Sequence, residues 1–133
     1  MTQKATPEKL LQTLFYEMWN NRDLSVADEI MIKDIPVHAD TATIKGRDEF
    51  KEVVKAWCKA IPDLHYSLDE IIVSGEKAVV RWTGSGTLKE EFGGFKPTGK
   101  SFKFWGITIT TIRDGKFQEA WVASDFSTVM MNS

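Results

Sequence analysis

The stretch Gly99-Lys-Ser-Phe-Lys-Phe-Trp-Gly-Ile-Thr-Ile-Thr-Thr-Ile-Arg-Asp-Gly-Lys-Phe-Gln-Glu-Ala-Trp-Val-Ala-Ser-Asp-Phe126 decides the fold. Two runs rich in β-branched and aromatic residues meet at Asp114-Gly115, a dipeptide suited to the positive φ values of a two-residue hairpin turn. Side chains alternate across a strand, so strict alternation puts Phe117, Glu119, Trp121, Ala123 and Asp125 on one face of the second run. That face mixes aromatic and acidic groups as a pocket wall does, which makes Asp125 the first candidate for chemistry.

Outward from the hairpin, Glu90 to Gly99 is a Gly- and Pro-containing loop whose Phe92 and Phe95 are expected to fold back over apolar surface. His65–Ser74 and Lys77–Thr87 read as two more strands joined by a turn at Gly75. Upstream the pattern is helical. Thr6-Pro7-Glu8 supplies a hydroxyl cap, a proline at the first helical position and an acid near the positive helix end. Leu10, Leu11, Leu14, Phe15, Met18 and Trp19 then form one apolar stripe, predicting a helix to about Asn20. Tyr16 and Asn20 lie four apart on its flank, where both are expected to reach one cavity. A short second helix is expected over Leu24 to Ile30, and a third from Gly46 until Pro62 stops it. Between them, Ile35 to Asp40 reads as a short edge strand or an extended crossover, because its proline argues against a central strand. Helices followed by an antiparallel meander make an α+β domain with helices on one face of a sheet.

The 133 residues suit a single domain, 1–133, large enough for a core without disulfides or metal. A net charge of -2 with scattered Lys and Arg offers no footprint for nucleic acid or anionic lipid. The lone Cys58 excludes an intrachain disulfide, fits a reducing cytoplasm and reads as a small buried filler. The N-terminal residues show no signal-peptide pattern, and no apolar run approaches the roughly 18 residues of a membrane span. No metal-ligand spacing and no phosphate-binding glycine loop occurs, so neither metal nor cofactor is expected.

Phe15-Tyr-Glu-Met-Trp-Asn20, Val37-His-Ala-Asp40, Gly46-Arg-Asp-Glu-Phe-Lys51, Ile61-Pro-Asp-Leu64, Val80 to Thr87, Pro97-Thr-Gly-Lys100 and Asp114 to Asp125 together resemble the SnoaL-like polyketide cyclase family, of the nuclear transport factor 2-like superfamily. The resemblance covers nearly the whole chain. It implies a cone-shaped, strongly curved antiparallel sheet around a pocket, three N-terminal helices closing it, and a homodimer. It further implies ring closure of a polyketide-like carbonyl compound by intramolecular aldol addition, without metal or cofactor, with Asp125 as acid and base.

Such a reaction needs a group that removes a proton beside a carbonyl and another that protonates the attacked oxygen, which one carboxyl can do if its pKa lies near neutrality. Walls made by Trp121, Trp105 or Phe104 would raise the Asp125 value, and a charged His38 or Arg81 would lower it. His38 has a titration range suited to proton transfer, and Tyr16 can donate to an enolate oxygen. Asn20 and Arg81 complete the candidate lining, while Arg81 with Glu119 or Asp125 reads equally as a structural pair. His65 reads as a surface residue. A ketosteroid-isomerase-like arrangement of Tyr16 and Asp40 stays open. So do a non-catalytic module holding an apolar small molecule and a dimeric interaction domain with a collapsed cavity.

Overall fold

A computed structural model describes residues 5–40 and 42–132. Met1 to Lys4, and with them half of the N-terminal stretch read for a signal, lie outside the described residues, as do Thr41 and Ser133.

The first helix begins as its sequence dictates. The Thr6 hydroxyl accepts the Lys9 N–H at 3.2 Å, and Pro7 opens α1, Pro7–Gln12. From Thr13 to Asn20 the winding relaxes to a π-helix, a wider turn that the apolar spacing alone does not distinguish from an α-helix. A 3₁₀ turn, Leu24–Val26, runs into α2, Ala27–Ile30. Then follow β1, Pro36–His38, β2, Thr43–Lys45, and α3, Arg47–Ala60, whose last turn ends before Pro62.

The remaining chain is the meander β3, His65–Ser74, β4, Lys77–Thr87, β5, Ser101–Arg113, and β6, Lys116–Ser124. Asp114 and Gly115 take φ of 55° and 74°, the mirror-image turn that matches strand twist. A last helix, α4, Phe126–Met131, was not legible in the sequence.

The sheet order is β2-β1-β6-β5-β4-β3. β1 is therefore not an edge strand: it pairs parallel with β6 and antiparallel with β2, and the edges are β2 and β3. Pro36 is tolerated because it is the first residue of the strand, where its missing N–H interrupts no ladder. Irregularities between Leu68 and Glu70 and between Thr111 and Ile112 bend the sheet. The helices cover its concave face, burying Leu11, Met18, Val54 and Ile61 against Val80, Phe104 and Phe117. Each such side chain contributes roughly 1.5–3 kcal/mol of transfer free energy. Phe92 and Phe95 of the loop before β5 do fold back, with Phe92 edge-on to Trp57 at 4.9 Å and both rings beside Phe126.

Candidate functional site

The concave face and the helices enclose a cavity of about 130 Å³. The π-helical segment contributes Leu14, Phe15 and Trp19, and α3 contributes Phe50, Val53 and Trp57. The sheet contributes Tyr66, Trp82, Phe104, Thr108, Thr110, Phe117, Ala120, Val122 and Ser124, and the segment around β1 and β2 closes the rest. None of the lining residues is an acid, a histidine, a lysine or an arginine. The partly exposed Ile44, Val53, Val122 and Ser124, with the exposed Ala39, mark where the cavity meets solvent.

The polar groups of this lining are largely spoken for. Trp82 Nε1 donates to Thr108 Oγ1 at 3.0 Å, Thr110 Oγ1 donates to the Ala78 carbonyl at 2.9 Å, and Ser124 Oγ accepts from the Phe126 N–H at 3.4 Å. Gly106 leaves room for this arrangement: a Cβ there would lie 2.4 Å from Trp82 Cζ2 and 2.6 Å from the Ala123 carbonyl oxygen.

Of the residues singled out from sequence, Phe104 lies in the cavity wall. The strand phase expected for β6 is corrected. Thr111 pairs with Glu119 and Ile112 with Phe117, so Gln118 is an extra residue that resets the alternation. Beyond it Ala120, Val122 and Ser124 point into the cavity, and Glu119, Trp121 and Ala123 point to the convex face. Trp121 is 53% exposed and Trp105 49% exposed, on that convex face. Asp125 follows the strand, where its Oδ1 accepts the Trp105 N–H at 2.8 Å and its own N–H donates to the Trp105 carbonyl at 3.1 Å. Its carboxylate fastens β5 to the start of α4 and is not part of the cavity lining.

His38 also faces outward. Its ring stacks on Trp121 with centroids 3.9 Å apart, Nε2 meets Glu119 at 2.8 Å, and Nδ1 meets Thr43 Oγ1 at 3.1 Å. Glu119 is thus the partner of His38, whereas Arg81 lies 3.5 Å from both Asp69 and Glu70. Tyr16 and Asn20 grip β3 rather than the cavity. The Tyr16 hydroxyl accepts the Leu68 N–H at 3.2 Å, and Asn20 bridges the Tyr66 carbonyl and N–H, both at 2.8 Å. Asp40 and His65 are exposed, and Cys58 is half-buried, with burial raising its thiol pKa.

Tyr66 was not singled out from sequence. It is 4% exposed, lines the cavity, and meets Phe15, Trp19 and Trp82 edge-on at 5.5, 5.1 and 5.1 Å. Burial, with a smaller contribution from Cys58, pushes its phenol above the usual tyrosine range, against an opposing pull from Arg22. The signal for it was the alternation of Tyr66 and Leu68 with Ser67 and Asp69.

The family model described as SnoaL-like polyketide cyclase matches residues 9–132. Among curated proteins none matches the sequence. A candidate polyketide cyclase, IdmH from Streptomyces antibioticus, superposes with a TM-score of 0.84 at 25% identity, over 96% of this chain and 97% of that one. A SnoaL-like candidate polyketide cyclase from Jannaschia sp. CCS1 gives 0.85 at 22% identity, over 98% and 96%. AclR from Streptomyces galilaeus, a candidate hydroxylase, gives 0.82 at 22%, over 98% and 96%. At 22% identity the last two likenesses establish the fold alone.

Proposed function

The chain belongs to the SnoaL-like polyketide cyclase family, and from that premise we propose that it takes up a compact, uncharged, apolar small molecule in its cavity. The carrying observation is the lining, which joins aromatic and aliphatic side chains to a few hydroxyls and holds no ionic group. Burying a charged ligand there would leave its charge uncompensated, which is strongly unfavourable. The volume of about 130 Å³ is close to the roughly 150 Å³ of an apolar cavity that binds benzene. It falls short of the roughly 300–1,000 Å³ of sites that enclose drug-sized ligands. The ligand, or the part of it that enters, is therefore of single-ring size.

Proton transfer by Asp125, His38 and Tyr16 finds less support, because none of the three shares the cavity lining. Any acceleration of ring closure in such a site comes from holding the chain in a reactive fold and excluding water. The test is calorimetric titration with toluene. Saturable binding is expected in the wild type and in Asp125→Asn, and loss of binding in Ala120→Leu, which fills the cavity. Loss of binding in Asp125→Asn, with the variant still folded, would return the carboxylate to the site.

The convex face supports a homodimer. Ile72, Ile107, Ile109, Trp105 and Trp121 are exposed there, on β3, β5 and β6. Register puts Ile72 beside Val79, Val79 beside Ile109 and Ile109 beside Trp121, one apolar row across four strands. Contiguous apolar surface of this kind is a feature of interfaces.

A further inference from the structure

Tyr66 differs from every other polar side chain in the cavity wall. Trp82, Thr108, Thr110 and Ser124 each hold a protein hydrogen-bond partner, whereas the Tyr66 hydroxyl has none among the described residues. The residue lines the cavity, and its hydroxyl is not sealed off by protein on all sides. A buried hydroxyl left without a partner costs about 1–3 kcal/mol, and phenylalanine would keep every ring contact without that cost.

The ring is also held still. Phe15, Trp19, Trp82 and Phe104 surround it, and Asn20 fixes its backbone on both sides. Burial keeps the phenol protonated through the neutral range, so it presents a fixed donor rather than an anion.

We propose that Tyr66 is the specificity-determining residue of the cavity, donating its O–H to a single uncharged acceptor, a ketone, aldehyde or ether oxygen, on an otherwise apolar ring compound. This deepens the uptake reading above and rests on it. An ionised acceptor is disfavoured, because Arg22, the nearby cation, already donates to the carbonyls of Trp19, Pro62 and Leu64.

The experiment compares acetophenone with cumene, which has nearly the same shape and no acceptor, in wild type and Tyr66→Phe. Wild type is expected to prefer the ketone by about five- to tenfold, the contribution of one hydrogen bond. Tyr66→Phe is expected to erase that preference. In wild type alone, the infrared carbonyl stretch of bound acetophenone is expected below its value in hexane, and this readout does not depend on the variant folding. Cumene binding with no ketone preference, or an unshifted stretch, overturns the role of Tyr66 and leaves uptake standing. Failure of both compounds to bind wild type overturns uptake itself, and the role of Tyr66 with it.

Discussion

Phe117 and Ala120 share the cavity wall although they stand three positions apart on one strand. The odd spacing comes from Gln118, which opposes no residue of β5. It turns Val122 and Ser124 inward and sends Glu119 and Trp121 to the convex face.

Deleting Gln118 forces a choice between turning Phe117 out of the core and turning Glu119 and Trp121 into it. Either outcome is expected to cost more than about 3 kcal/mol, from a lost buried aromatic or a buried carboxylate. Urea unfolding measures it. A loss below about 1 kcal/mol would mean that the bulge does not set the phase.

The same bulge shows what the sequence could and could not disclose. The strand positions of β4 were legible because Ala78, Val80 and Trp82 alternate without interruption. The side of the sheet taken by Asp125 was not, because one extra residue moves every later side chain to the opposite face. Trp105 and Trp121, placed in the pocket wall from sequence, both lie on the exposed convex face, and for Trp121 the cause is that same extra residue. β2 is three residues long and pairs locally with β1, while β1 pairs in parallel with β6 far along the chain, information that local patterns do not carry.

The convex face gives a prediction about assembly. Ile109→Glu, at the middle of the apolar row, is expected to convert a dimer into a folded monomer, because two carboxylates would be brought together across the interface. Sedimentation velocity reports the mass and circular dichroism the fold. A wild type that sediments as a monomer at high concentration would dismiss this surface as a self-contact.

Asn20 joins the π-helical segment to β3 through two 2.8 Å bonds to the backbone of Tyr66. Asn20→Ala leaves both backbone groups without that partner, and a loss of about 2–4 kcal/mol is expected. Because the clamp also orients the Tyr66 ring, acetophenone affinity is expected to fall more than cumene affinity in this variant, as read by calorimetry.

Tyr66 also sets a pH dependence. An unperturbed tyrosine titrates near about pH 10, and burial raises this one in the native state. Above that pH the unfolded chain loses the proton first, so it binds fewer protons than the native state and stability falls as pH rises. The contribution is fully present below about pH 10 and lost as pH climbs toward the native value. Urea midpoints of wild type and Tyr66→Phe are therefore expected to run parallel up to about pH 10 and to part above it, wild type falling faster. Parallel curves throughout would show that the phenol ionises freely in the native state.

The most direct measurement of where a ligand goes is a methyl-labelled NMR titration with toluene. Val37, Val53 and Val122 line the cavity, and Ile72, Ile107 and Ile109 lie on the convex face. Saturable shifts are expected in the three valine methyls, with the isoleucine methyls unmoved. Shifts confined to the isoleucines, or none that saturate, would mean that the cavity is not the binding site.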